Sequence, residues 1–188
     1  MIVIAPYDPA WPALFAAEAA RIRESFGLHA MRIEHVGSTA VPGLAAKPVI
    51  DIQVSVQALA SREIFDGLLK PLGYTHFPLG DFDLVYPFFK RPYTWPSTHH
   101  VHLCVSGSEQ EQDHIAFRDY LRCNPAAAAA YVELKQGLAA VHPGLTMESQ
   151  EQYSLAKAAF IRSALGEVER NVRWLGERTA ASQSEVSR

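Results

Sequence analysis

Cysteine is scarce in this sequence, and long apolar runs are absent. The two cysteines, Cys104 and Cys123, do not form a Cys-x-x-Cys pair, which favours a reducing cytoplasm as the setting. No apolar run approaches the ~20 residues that a membrane-spanning helix needs, and the first residues lack the basic segment of a secretory signal. We therefore expect a cytoplasmic protein with neither a membrane span nor a signal peptide.

Positive charge is not in excess either. The formal net charge is -3, so binding to nucleic acid would have to rest on a local basic patch, and nucleic acid is not an expected partner. Hydrophobic residues make up 48% and charged residues 20% of the 188 residues, which is ordinary for a globular protein. Length and composition predict one domain over residues 1–178 and a polar, flexible tail over residues 179–188.

Three widespread site motifs are missing from the sequence. It contains no Gly-Lys-Ser/Thr phosphate loop and no Gly-x-Gly-x-x-Gly dinucleotide fingerprint. It also lacks the Gly-x-Ser-x-Gly elbow of serine hydrolases. These absences exclude the two commonest nucleotide-binding designs and the commonest serine-hydrolase design.

Hydrophobic periodicity predicts an α/β (α+β) fold. Apolar residues at three- and four-residue spacing indicate helices, and short runs of β-branched residues indicate strands. The chain is predicted to form a helix at 9–27, strands at 31–36 and 47–56, a helix at 61–70, strands at 84–90 and 100–105, and helices at 109–123, 124–141 and 147–178. The C-terminal half is therefore expected to be helical.

The loop between the first two predicted strands is rich in Gly, Pro and Ser. Gly37 and Ser38 directly follow a strand, where a glycine lets the backbone approach a ligand and a serine hydroxyl can bond phosphate oxygens. The same residues, with Pro42 and Gly43, would equally build a tight connection with no ligand. Taken alone, the loop leaves both interpretations open.

The strand after this loop carries an acidic side chain. Asp51 and Gln53 are two residues apart, so they share one face of the strand, and β-branched residues fill the other face. A triphosphate held by the loop would lie beside Asp51, whose carboxylate could hold Mg²⁺, an ion that shares its ligands with substrate phosphates. Such an arrangement suits phosphoryl or nucleotidyl transfer.

Several longer stretches together resemble one known family. The runs are RIEHVGSTAVPGLAAKPVIDI, THHVHL, FRDYLRCNP, YVELK and YSLAKAAFI, and they span nearly the whole chain. They are similar to the GrpB family, a bacterial group that resembles the nucleotidyltransferases of the DNA polymerase beta type. The resemblance implies a nucleotidyltransferase-like mixed sheet with flanking helices and a helical C-terminal portion. Some members of the group are fused to dephospho-CoA kinase.

The resemblance also assigns expected roles to individual residues. The superfamily's Gly-Ser element falls on Gly37 and Ser38, and its first metal carboxylate falls on Asp51, the expected ligand of Mg²⁺. Its second carboxylate falls on Gln53, whose neutral amide binds a cation weakly. Catalytic roles are therefore expected for Ser38, Asp51 and Gln53, with activity depending on the substitution at position 53.

Histidines and lysines complete the set of candidate site residues. His100 and His102 share one strand face and could bind a transition metal or an anionic substrate, with Asp51 or His35 as a third ligand. A polar face without metal is the alternative. Lys47 lies at the mouth of the second strand, and Lys135 and Lys157 lie on helices four residues from a tyrosine. All three lysines are expected to contact phosphates. The alternative for Lys47 is a solvated loop lysine, and the alternative for Lys135 and Lys157 is packing on tyrosine rings at the surface.

Three functions follow from these residues. The first is a nucleotidyltransferase-like protein that binds a nucleoside triphosphate between the Gly-Ser loop and Asp51 and transfers to an acceptor that the sequence does not identify. The second is a catalytically inactive nucleotide- or CoA-related binding module, which Gln53 favours. The third is a metal-dependent hydrolase built on the His-x-His strand. All three require Ser38, Asp51 and His102 to line one cleft.

Overall fold

The described part of the chain folds around one mixed sheet, as expected from the sequence. The computed structural model describes residues 1–59 and 61–168. The expected tail at 179–188 and the end of the last predicted helix lie outside the described residues. The sheet has five strands in the order β1-β2-β5-β4-β3; these are β1 Arg32–Val36, β2 Ile50–Val56, β3 Thr75–His76, β4 Phe88–Arg91 and β5 His99–Val105.

One parallel pair lies at the centre of an otherwise antiparallel sheet. Strands β2 and β5 run parallel, whereas β1 pairs with β2, and β4 pairs with β5 and β3, in antiparallel fashion. In the central pair Asp51 lies opposite His100 and Gln53 lies opposite His102. Paired residues point to the same side of a sheet, so this register gathers the polar side chains of both strands on one face.

Helices cover both faces of the sheet. The helices are α1 Trp11–Phe26, α2 Arg62–Leu69, α3 Glu109–Cys123, α4 Pro125–Val141 and α5 Met147–Leu155, and residues 158–168 are also helical. Apolar residues of α1 and α2, including Ile22, Phe26 and Leu69, pack on the face that contains Ile52 and Val54. The opposite face carries Asp51, Gln53 and Ser55 and is covered in part by α3.

A second, smaller core joins the loop after β1 to the C-terminal helices. Val41 and Leu44 of the loop are buried against Leu121 of α3 and Tyr131 of α4. Phe160, in the last helical segment, packs against the same cluster. This contact holds the helical half of the chain over the Gly-Ser loop.

Three details of the secondary structure differ from the sequence-based expectation. The predicted helix over 147–178 ends at Leu155, and a turn at 156–157 separates it from the helix at 158–168. The predicted strand at 84–90 begins only at Phe88, because Leu84 closes a 3-10 helix and Pro87 has no N–H for strand pairing. The short strand β3 at the sheet edge was not predicted at all.

Candidate functional site

A cleft of about 220 Å³ opens where β2, β5 and the C-terminal helices meet. It is lined by Ser38, Thr39, Lys47, Val49, Asp51, Phe88, His100, His102, Lys135, Tyr153, Ser154 and Lys157. Ser38, Asp51 and His102 therefore share one cleft, which is the arrangement that every function considered from the sequence requires. The sheet supplies the carboxylate and the histidines, whereas the loop, α4 and the turn at 156–157 supply the lysines.

Asp51, His100 and His102 form the floor of the cleft. Asp51 Oδ1 lies 2.9 Å from His100 Nδ1 and 3.5 Å from His102 Nε2. The three side chains meet because the parallel pairing places Asp51 beside His100, and the two-residue period of β5 places His102 on the same face. One donor atom from each of the three side chains lies within 4.8 Å of the others, so this cluster could hold a metal ion.

The histidines keep Asp51 ionised although it is partly buried. Burial alone would raise the pKa of Asp51, but hydrogen bonds from His100 and His102 hold this pKa well below its usual value. Burial lowers the pKa of His100, and Asp51 offsets part of that shift. His100 Nε2 and His102 Nδ1 are buried without a hydrogen-bond partner in the described part of the chain.

Gly37 and Ser38 border the same floor. Gly37 has a φ of 69° and a ψ of -172°, a conformation that is essentially restricted to glycine. A β-carbon at this position would overlap Asp51 Oδ2. Ser38 Oγ accepts a hydrogen bond of 3.2 Å from Lys135 Nζ. The glycine thus makes room for the carboxylate, and the serine is tied to a lysine of α4.

Lys135 is fixed in place on one side of the cleft. Its Nζ also donates a hydrogen bond of 2.5 Å to the carbonyl oxygen of Ala45, and it lies 4.8 Å from the centre of the Tyr131 ring. Only 2% of Lys135 is exposed. Burial, with the nearby charge of Lys157, lowers the pKa of Lys135 to about 7. Lys135 therefore links the helical half to the loop and carries a titratable amine.

Lys47 and Lys157 share a different partner, the buried ring of Tyr153. Lys47 Nζ lies 5.2 Å and Lys157 Nζ 4.7 Å from the centre of this ring. Lys47 also lies 5.5 Å from the ring centre of Trp95. Burial lowers the pKa of Lys47 and, together with Lys47, lowers the pKa of Lys157 to about 8, while Asp51 opposes both shifts. Both ammonium groups contact aromatic rings, and no hydrogen bond within residues 1–59 and 61–168 occupies their N–H donors.

The lysines of this protein are concentrated at the cleft. The sequence has five: Lys47, Lys70, Lys90, Lys135 and Lys157. Three of them line the cleft, and a fourth, Lys90 of β4, is paired with His100 and so projects from the same face of the sheet. Burial and the nearby charge of Lys47 lower the pKa of Lys90 to about 8. Among the described residues, the cleft consequently carries three lysines and one carboxylate, that of Asp51.

Two residues expected at the site lie elsewhere. The ring of His35 stacks on Phe15 at a centroid distance of 4.7 Å, and its Nε2 is 3.0 Å from Thr39 Oγ1. Burial lowers the pKa of His35 to about 4, against the opposing charge of Asp51. Gln53 is completely buried beneath α3 and is not among the residues that line the cleft. Of the two candidates for a third metal ligand, the structure brings Asp51 to the histidines and keeps His35 on the opposite face.

Several lining residues escaped the sequence-based selection. Phe88 lines the cleft from β4, and Lys90 flanks it from the same strand, whose alternation is too short to indicate a functional face. Thr39 and Val49 flank selected residues, but their types carry no distinctive chemistry. Lys90 could have been suspected only once the pairing of β4 with β5 was known. No helix among residues 1–59 and 61–168 is long and apolar enough to cross a bilayer.

The fold and the cleft define a class of protein, an α/β domain with a carboxylate–histidine floor and a lysine-rich wall. The chain belongs to the GrpB family, whose model, described as "GrpB protein", matches residues 1–167. A crystal structure of the conserved protein GrpB from Enterococcus faecalis is similar, with a TM-score of 0.77 and 35% identity, covering 90% of this chain and 99% of that chain. The family expected from the sequence is thereby confirmed.

Some curated relatives are longer proteins. The UPF0157 protein YqkA of Bacillus subtilis is 36% identical over 180 residues, which are 96% of this chain and 50% of that protein. A dephospho-CoA kinase of Mycolicibacterium paratuberculosis is 33% identical over 159 residues, which are 71% of this chain and 38% of the kinase. The chain thus spans about half, or less, of the length of these two relatives.

Proposed function

We propose that the cleft binds a nucleoside triphosphate through its phosphates and transfers the nucleotidyl group to an acceptor. The observation that carries this proposal is the meeting of Lys47, Lys135 and Lys157 with Asp51 in one cleft. Several ammonium groups around a small cavity match a ligand with several negative charges. A carboxylate at the floor provides a ligand for the cation that accompanies such phosphates.

The three lysines have different parts in this function. Lys47 and Lys157 have only aromatic rings as partners in the described residues, so their N–H groups can turn to phosphate oxygens. Lys135 holds the Gly-Ser loop through Ser38 and Ala45 and presents its charge from the side. Preorganised cations of this kind stabilise the negative charge that develops on a transferred phosphoryl group.

The size of the cleft limits how the nucleotide lies. A cavity of about 220 Å³ is smaller than the ~300–1,000 Å³ of pockets that enclose a whole drug-sized ligand. The phosphates therefore occupy the cleft, and the nucleoside lies at its mouth. When bound, a divalent cation on Asp51 would offset phosphate charge; Mg²⁺ is the cation that the family resemblance implies.

A catalytically inactive binding module is the second candidate. Asp51 is the only acidic residue among the residues that line the cleft in the described part of the chain. Relatives that carry the name dephospho-CoA kinase add a reason to consider nucleotide- or CoA-related ligands. In this case the same lysines hold the phosphates, and no transfer follows.

A metal-dependent hydrolase is the third candidate, and the Asp51, His100 and His102 cluster favours it. Two imidazoles and one carboxylate are a common ligand set of catalytic metal sites that activate water. In this case the lysines would bind the phosphate of an ester, and the nucleoside would be dispensable.

Measurement of nucleoside triphosphate binding at equilibrium tests the proposal. We expect nucleoside triphosphates, titrated calorimetrically with and without a divalent cation, to bind the purified protein. Lys47→Met and Lys157→Met should each weaken binding by about ten- to a hundredfold, since each removes a charge-assisted hydrogen bond. Lys70→Met is the matched control because Lys70 is exposed and lies outside the cleft. Absence of binding, or equal losses in all three variants, overturns the proposal.

Turnover then distinguishes the three candidates. Pyrophosphate release that depends on a nucleoside triphosphate and an acceptor extract supports transfer. Binding without pyrophosphate release supports the inactive module. Release of orthophosphate from simple phosphate esters, equally fast without a nucleoside, supports the hydrolase.

A further inference from the structure

We infer that the cleft holds one transition-metal ion, bound by Asp51, His100 and His102, in place of the magnesium ions that paired carboxylates would hold. The inference rests on the proposed function in that it names the cation of the same cleft. Its basis is the donor set on the floor, which consists of one carboxylate and two imidazoles. Imidazole nitrogen suits zinc, iron, cobalt or copper, whereas Mg²⁺ takes oxygen ligands.

A site for magnesium ions on paired carboxylates does not fit the described residues. Such a site needs a second carboxylate beside Asp51, and position 53 carries an amide. The amide is moreover completely buried beneath α3 and does not reach the cleft. Asp51 is therefore the single carboxylate available to a cation on this floor.

The spacing of the donor atoms fits one small ion. Metal–ligand distances of ~2.0–2.1 Å in a tetrahedral site separate the ligand atoms by roughly 3.3 Å. Asp51 Oδ1 lies 2.9 Å from His100 Nδ1 and 3.5 Å from His102 Nε2, on either side of that value. The two histidines have no polar partner other than Asp51 among residues 1–59 and 61–168. Each ring binds a metal through the nitrogen that faces Asp51 once the proton on that nitrogen has moved to the other ring nitrogen.

Three protein ligands leave part of the coordination sphere free. Catalytic zinc sites have this composition, with water or substrate in the remaining position. Here Lys135 and Lys157 line the same cleft as the three ligands. An anionic group of a ligand could therefore contact the metal and the ammonium groups at once.

Aromatic side chains fix the orientation of His102. Its ring stacks on Phe88 at a centroid distance of 4.7 Å and on Tyr86 at 5.1 Å. Tyr86 Oη lies 3.0 Å from Nε2 of His114, and the ring of His114 packs edge-on against His102. Metal-binding histidines depend on such surrounding contacts for their geometry.

Gln53 orders this surrounding layer. Its Nε2 donates to the carbonyl oxygen of Glu111 at 3.3 Å, and its Oε1 lies 2.8 Å from His114 Nδ1, which is also 2.8 Å from Tyr86 Oη. With its proton on Nδ1, His114 donates to Gln53. His114 Nε2 is then unprotonated and can accept a hydrogen bond from Tyr86. This series of hydrogen bonds needs a donor and an acceptor on one side chain, which an ionised carboxylate cannot provide. Gln53 is accordingly a positioning residue behind His102 and not a replaced metal ligand.

Metal titration in the absence of nucleotide tests the inference. The protein is treated with a chelator, and Co²⁺ is added while visible absorption and heat are recorded; Zn²⁺ and Mg²⁺ are then titrated separately. We expect one Co²⁺ or Zn²⁺ per chain, a cobalt spectrum with nitrogen ligation, and at least hundredfold weaker binding of Mg²⁺. Asp51→Asn and His102→Ala should each weaken Co²⁺ binding at least hundredfold. His29→Ala, at an exposed histidine, is the matched control.

The outcomes separate this inference from the proposed function. No stoichiometric Co²⁺ or Zn²⁺, two ions per chain, preference for Mg²⁺, or unchanged binding in folded Asp51→Asn overturns the inference, even if nucleotide binds. One tightly bound Co²⁺ without nucleotide binding upholds the inference and removes the proposed function. Circular dichroism identifies any variant that fails to fold. If His102→Ala does not fold, metal binding by the isosteric variant Asp51→Asn decides whether the metal site exists.

Discussion

A β-carbon on Gly37 would overlap the carboxylate of Asp51. The glycine therefore serves Asp51 directly, and its positive φ is only part of the reason that no other residue fits. Strand β2 brings the carboxylate to the floor of the cleft, and the loop after β1 can close over it only where a side chain is missing. The site therefore depends on the close approach of the loop after β1 to strand β2.

Gly37→Ala should lower both stability and cation affinity. We expect the free energy of unfolding to fall by about 1–3 kcal/mol for the backbone conformation alone, with an added cost for displacing Asp51. Gly43→Ala is the control, since Gly43 also has a positive φ but no atom lies within 4 Å of the place its β-carbon would take. Urea unfolding and Co²⁺ titration of both variants measure the two effects. Equal losses of cation affinity in both would contradict the role assigned to Gly37.

Restoring a carboxylate at position 53 should not create a second metal site. Gln53→Glu places an acceptor opposite the carbonyl oxygen of Glu111 and leaves a buried group without its donor, so we expect a loss of about 1–3 kcal/mol in stability. Metal stoichiometry should stay at one per chain. Asp51→Asn provides the reverse pattern, with metal binding lost and stability largely kept. Metal analysis and urea unfolding of the two variants check this contrast, and two ions bound to Gln53→Glu would contradict it.

Burial of Lys135 should make stability depend on pH. Its pKa is about 7 in the folded protein against an ordinary value of 10.5, so the unfolded chain binds more protons between these values. Stability therefore rises with pH across this window, by up to about 1.4 kcal/mol per pH unit for one group. Lys135→Met removes this contribution, so the slope in urea unfolding from neutral pH to about pH 9 should be shallower. Parallel slopes in both proteins would exclude Lys135 as the source.

Binding of a polyanion should draw protons from solution. Phosphate charge raises the pKa values of nearby lysines, and those of Lys135 and Lys157 are about 7 and about 8 without ligand. Near pH 8 a triphosphate should therefore bind with net proton uptake. Calorimetry in buffers of different ionisation enthalpy measures the number of protons, and Lys157→Met should reduce it. Proton release on binding would contradict the charge states assigned here.

The sequence was sufficient to predict which side chains share a face of a strand, but not which elements of the fold cover that face. The two-residue period correctly predicted that Asp51 and Gln53 share a face and that His100 and His102 do so. The pairing of Asp51 with His100 depends on two parallel strands joined by a long crossover, and strand periodicity carries no information about that neighbour. The same period could not reveal that α3 buries Gln53 while leaving Asp51 open to the cleft.

The helical wall of the site was harder still to predict. Lys135 and Lys157 were selected from their spacing to tyrosines, but their convergence depends on how α4 and the chain around residue 157 pack on the loop. Apolar spacing predicted one continuous helix over 147–178, whereas a turn at 156–157 places Lys157 in the cleft. Helical periodicity shows which residues share the apolar face of a helix, but it does not reveal a two-residue turn within the segment.

The uneven distribution of lysines makes the cleft a target for selective chemical modification. Lys70 is the single lysine away from the cleft or its flank, and amines with lowered pKa values are the more nucleophilic at neutral pH. At a limiting amount of an acylating reagent, we expect Lys47 and Lys157, which line the cleft, to react before Lys70. Peptide mapping of the marked lysines can then report occupancy of the cleft by any compound, whatever reaction the protein carries out.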